Sequence, residues 1–115
     1  MAAYYDLLIE QGATLRKTFT WRGSDMTPVD LTDYTARMQI RKRKADPDVI
    51  HEATTENGGI AMGGVDGTVS LTINDTDTAA FGFVRGVYDI EIIDSDGIVT
   101  RLVEGNVELS KEVTR

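Results

Sequence analysis

An antiparallel β-sandwich is the fold class this sequence predicts, on three observations. Short runs alternate apolar and polar residues with period two, the stretches between them carry turn chemistry, and no long segment repeats apolar residues at the 3.6-residue helical spacing. Alternation marks a half-buried strand because successive side chains leave opposite faces of a pleated backbone. About seven such strands in a chain of 115 residues predict one domain over 1–115, an immunoglobulin-like all-β sandwich with at most one short helical turn. A small barrel is the second choice.

The elements follow in chain order. Residues 1–10, with "YYDLLIE", form an N-terminal arm or edge strand. In "ATLRKTFTW", Leu15, Phe19 and Trp21 share a face opposite Arg16, Thr18 and Thr20, with Trp21 expected in the core. Lys17 falls on the apolar face, and the expectation is that it sits near a strand end and snorkels its amine to water. "RGSDMTP" closes a turn. In "TARMQIRK", Ala36, Met38 and Ile40 face one way and Arg37, Gln39 and Arg41 the other; "VIHEAT" is a weaker strand.

"NGGIAMGGVDG" holds five of the eleven glycines and reads as a mobile hairpin or loop. "GTVSLTI" is a strand with Val69, Leu71 and Ile73 inward, and "NDTDTAAF" gives a single helical turn capped by Asn74 or Asp75. "VYDIEII" turns Tyr88, Ile90 and Ile92 inward, "DSDG" closes a hairpin, and Gly105 in "IVTRLVEGNVEL" predicts a bulge or bend.

Composition narrows function. With no cysteine, disulfides, thiolate metal sites and Cys nucleophiles are excluded. A net charge of −7 repels a phosphate backbone, so nucleic acid is not an expected partner. No apolar run approaches the ~20 residues of a membrane span, and the start carries Asp6 and Glu10 where a signal peptide needs apolar residues, so neither membrane nor export by that route is expected.

Candidate chemistry is sparse. His51 is the single histidine and lies in no recognisable triad. "DSDG" begins like a calcium loop, but the twelfth position counted from Asp94 is Gly105 instead of a bidentate Glu, so a plain Asx turn is expected and no metal or cofactor is assigned. "GGIAMGG" lacks the strand-to-helix context and the Lys-Ser/Thr of a phosphate cradle. The basic run Arg41, Lys42, Arg43, Lys44 continues into "ADPDV", where Asp46 and Asp48 offset it, and no aromatic residue interleaves it for base stacking. It reads as a solvated edge or as a salt-linked contact with an acidic partner protein.

The order of these features resembles a group of tailed-bacteriophage structural proteins. From about Asp6 to Thr114 the chain is similar to the immunoglobulin-like N-terminal domain of the phage baseplate upper protein family, most specifically in "PVDLTDYTARMQIR" and "YDIEIIDSDGIVTRLVEGNVELS". In such domains the first segment is a strand entered through a turn, and the second a final hairpin closed by Asp-Gly. Asp33 stands where that pattern commonly has Gly, a left-handed position Asp tolerates better than most residues. Family members carry the domain ahead of a longer receptor-side chain, whereas this sequence stops after "LSKEVTR".

The resemblance therefore implies a non-enzymatic virion subunit, made in the host cytoplasm, that serves as an adaptor or decoration in the tail, baseplate or collar. Its partners would be other virion proteins and further copies of itself. Three contact regions are expected: the arm with Tyr4, Tyr5, Leu7 and Leu8, the basic edge Arg41 to Lys44, and the glycine loop near Ile60 and Met62. The alternatives are a capsid decoration protein, or a carbohydrate- or receptor-binding sandwich using Trp21, Tyr34 and the acidic turns.

Overall fold

The computed structural model describes residues 2–114 and places two β-sheets face to face. The strands described are β1 (Ala3–Tyr4), β2 (Leu7–Glu10), β3 (Leu15–Thr20), β4 (Thr35–Arg41), β5 (His51–Thr54), β6 (Ile60–Met62), β7 (Thr68–Ile73), β8 (Arg85–Ile93) and β9 (Val99–Ser110). The larger sheet runs β1-β9-β8-β4-β5, with β2 also on β9; the smaller runs β3-β7-β6. The chain is thus an all-β sandwich.

Alternation builds the core as expected. Ala36, Met38 and Ile40 of β4, Tyr88, Ile90 and Ile92 of β8, and Val69, Leu71 and Ile73 of β7 are all buried, and they form one cluster between the sheets. Each large aliphatic side chain so enclosed contributes about 1.5–3 kcal/mol relative to exposure. Trp21 packs partly buried against this cluster. Asn74 caps helix α1 (Asp75–Ala79) by accepting the Asp77 amide at 2.8 Å. Thr78 of α1, fully buried, donates its hydroxyl to the Ala13 carbonyl (2.8 Å) and accepts the Gly12 amide (3.1 Å), which ties the helix to the β2–β3 turn.

Three expectations are corrected. The pairing is not antiparallel throughout: β1 and β2 run parallel to β9, and the chain between β2 and β9, which passes to the smaller sheet at β3, supplies the crossover that a parallel pair needs. The bulge of β9 lies at Leu102, opposite the Ile90/Glu91 step, so Leu102 and Val103 are both buried in succession; Gly105 pairs regularly with Tyr88. Lys17 is in mid-strand opposite Leu71. Its ammonium lies 4.4 Å from the Tyr5 ring centroid and 5.7 Å from that of Phe19, so it rests against aromatic rings. Of the two readings of the glycine stretch, hairpin or loop, the structure has the hairpin: β6 pairs antiparallel with β7 through a 3-10 turn at Gly64–Asp66.

Candidate functional site

The N-terminal arm is part of the sandwich. Tyr5 donates its amide to the Glu104 carbonyl (2.9 Å), and its own carbonyl takes the Tyr88 hydroxyl at 2.5 Å. The Asn106 amide, which a regular ladder would direct to that carbonyl, is instead accepted by the Asp6 carboxylate at 2.9 Å. That substitution splits β1 from β2 although both hold the same register on β9. The absence of a side chain at Gly105 makes the arrangement possible, since a Cβ there would collide with the Tyr5 carbonyl. The Tyr5 ring meets Phe19 edge-on at 5.6 Å and so closes one side of the sandwich.

Burial sorts the expected contact residues. Tyr4 and Leu8 are exposed along this edge, and Tyr5 is exposed on one side. Leu7 and Ile60 are core residues, which corrects their assignment to a contact surface: each falls on the inward phase of its strand. Met62 is partly buried on the same inward phase of β6, opposite Val69. Alternation through "DLLIE" and "GIAMG" carries that information, since Leu7 is in phase with buried Ile9 and Ile60 with half-buried Met62.

The basic run divides in two. The Arg41 guanidinium binds the Asp46 carbonyl (2.7 Å) and the Gln39 side-chain oxygen (2.8 Å), and Lys44 lies 3.4 Å from Glu104. Lys42 and Arg43 are exposed and make no ion pair among the described residues. Arg41 and Lys44 belong to a charge lattice over the outer face of the larger sheet. There Arg37 meets Glu91 at 2.9 Å, and Arg101 reaches Asp89 (3.5 Å) and Glu104 (3.7 Å). Burial, then the neighbouring Glu91, raises the Asp89 carboxyl above its usual range, with Arg101 opposing. A face that already matches its own charges gains little from a partner, since such exposed pairs are worth ~0–1 kcal/mol.

His51 begins the edge strand β5 and turns inward, its ring 5.6 Å from that of Phe81. Burial lowers its pKa, against a smaller opposing pull from Asp77. Asp94 accepts the amides of Asp96 and Ile98, both at 2.9 Å, which is an Asx turn. Among the described residues no three His, Cys, Asp or Glu side chains group to hold a metal ion. Tyr34, like Trp21, packs against the core.

Among the described residues, the exposed aliphatic residues that escaped the sequence reading include Val49, Val84, Val99 and Val113 as well as Met26, Val65 and Ile98. The last three each sit in a turn beside or one residue from an aspartate, in "SDM", "VD" and "DGI". An aliphatic residue inside a polar turn was the available signal. No protein-family model matches the chain, and no curated protein is detectably similar to it.

Proposed function

We propose that the chain is a structural protein of a tailed-bacteriophage virion, an adaptor or decoration subunit of the tail, baseplate or collar that docks on neighbouring virion proteins and carries out no reaction. The observation that most supports this reading is local geometry in the two segments that carry the family resemblance. Asp33, where the family pattern commonly has Gly, has φ of 67°, in the left-handed region that favours glycine, at the turn entering β4. The second segment is the β8–β9 hairpin, closed through Asp96 and Gly97 with Gly97 at φ 85°.

Function then follows from rigidity. The sandwich holds its arm, helix and loops through hydrogen bonds to the framework, so exposed side chains are presented without a large ordering cost on docking. Weak contacts become stable in an array because neighbouring attachments raise the effective concentration of each one. The test is to purify particles from cells that make the chain and to measure its copy number by quantitative mass spectrometry, with imaging to locate it. A fixed number of copies per particle is expected. A chain abundant in the lysate but missing from purified particles would overturn the proposal, as would substrate turnover abolished by changing His51.

A further inference from the structure

The edge strands of this sandwich differ in what they offer to another strand. The Thr55 amide bonds the Ala36 carbonyl, a phase that turns the Glu52 carbonyl and the Thr54 amide of β5 away from β4. The Asn57 side chain takes both groups, at 3.1 and 2.8 Å, so that edge is already occupied. β6 has three residues, and Asp6 interrupts the run of β1 and β2 along β9. β3, with six residues, is longer than any of these, and no strand among the described residues lies against its outer edge.

Neighbouring bonds fix which groups that edge presents. The Trp21 amide donates to the Gly67 carbonyl (2.8 Å), and the same register makes Phe19, Lys17 and Leu15 the residues bonded to β7. From the far side, the Thr72 amide donates to Gly59 (2.8 Å) and the Thr68 carbonyl accepts from Gly63 (2.9 Å), so alternate residues of β7 turn to β6. Arg16, Thr18 and Thr20 therefore direct their amides and carbonyls outward, and all three are exposed. Such an edge is a template for a further strand. A second β3 fits it antiparallel about a two-fold axis, with Thr18 facing Thr18 and Arg16 facing Thr20. Every open group then finds a partner.

Lys17 opposes that fit. It sits half-buried on the inward phase of β3, its ammonium against Tyr5 and Phe19, and it makes no ion pair among the described residues. In the two-fold register it faces the Phe19 of the other copy, so a covering strand would enclose the ammonium without supplying a carboxylate. The two lysines would also become diagonal neighbours, about 7–8 Å apart. Enclosing like charges with no counter-ion is strongly unfavourable. We propose that Lys17 is an edge guard, whose charge on the inward side of β3 keeps the chain from pairing edge to edge with a second copy. Inward-pointing charge is a known protection of sheet edges. It accounts for a lysine at a mid-strand position that alternation would fill with an apolar residue. The inference goes beyond the virion reading and stands or falls without it.

Hydrogen exchange at single amides, beside sedimentation velocity, provides the test. In the wild-type chain the Arg16, Thr18 and Thr20 amides are expected to exchange fast at every concentration, and those of Lys17 and Phe19 slowly. In Lys17→Leu the three outward amides are expected to slow roughly fivefold or more between about 0.01 and about 1 mM, as for a dimer with Kd of about 10 μM. Sedimentation should show that dimer and nothing larger, because a two-fold contact uses the β3 edge of both copies. Lys17→Arg keeps the charge, and Thr18→Asp added to Lys17→Leu sets carboxylates face to face. Both chains are expected to exchange as the wild type does. Outward amides that slow with concentration in the wild type, or that stay fast in Lys17→Leu at about 1 mM, would overturn the proposal. So would pairing in either of the last two chains, or growth of Lys17→Leu beyond a dimer. If Lys17→Leu does not fold, Lys17→Thr is read in the same way.

Discussion

Replacing Met26 with glycine is expected to stabilise the chain, and a second turn in the same molecule shows why. In both 23–27 and 94–98 the first residue donates its amide to the fifth carbonyl, and the fourth amide donates back to the first carbonyl. The distances are 2.9 and 2.9 Å in one and 3.1 and 3.0 Å in the other. The fourth residue has φ of 66° at Met26 and 85° at Gly97. The same left-handed position is thus filled once by the residue that fits it and once by one that does not. A side chain there costs about 1–2 kcal/mol. Glycine returns about 0.5–1 kcal/mol of that through the greater freedom of the unfolded chain. Because Met26 is exposed, little packing is lost, and the net gain is about 0.5–1 kcal/mol, or ~2–5 °C in Tm for a domain of this size. The reverse change, Gly97→Met, should lose a similar amount. Calorimetry of both variants beside the wild type measures this directly. A Met26→Gly variant no more stable than wild type, together with a Gly97→Met variant that unfolds at the wild-type temperature, would refute the reasoning.

Three further outcomes follow from packing and titration. Gly105→Ala places a methyl group against the Tyr5 carbonyl and deprives the Tyr88 hydroxyl of its acceptor; a loss of about 2–3 kcal/mol is expected, with faster hydrogen exchange at the Tyr5 amide than in the rest of the larger sheet. Thr78→Val strands the Ala13 carbonyl and the Gly12 amide, and chemical denaturation should show a loss of about 1–3 kcal/mol that Thr78→Ser largely restores. For His51, burial depresses the folded-state pKa below the ordinary 6.5, so between those values the unfolded chain binds the proton more readily. Its stabilising contribution is therefore complete above that ordinary value and is lost as pH falls through it. His51→Gln should show a smaller drop in Tm than wild type between about pH 7.5 and 5, and an unchanged drop would remove His51 from the account.

Local chemistry was legible wherever one short segment carries its own signal. Period-two alternation identified the inward residues of β4, β7 and β8, and Asn74 proved to be the helix cap, while the left-handed Asp33 was implied by the resemblance alone. The contact surface was less legible. Tyr4, Leu8, Lys42 and Arg43 are available at the surface, whereas Leu7 and Ile60 are enclosed and Arg41 and Lys44 are engaged by their own domain. The difference is that exposure depends on what covers a residue, and the covering element comes from elsewhere in the chain.

The sequence by itself determined that this chain forms strands, which side of most of them is apolar, and where the hairpins turn, because those properties depend on neighbours within a few residues. Only the tertiary structure decided that the first strands run parallel to the last, that Gly105 serves the Tyr5 carbonyl instead of a bulge, and that Lys17 rests on Tyr5. It also gathered Met26, Val65 and Ile98 at one end. Each of these joins residues far apart in the chain, and their meeting is set by how the two sheets stack and by which edge the arm covers, quantities that no local pattern of side chains encodes.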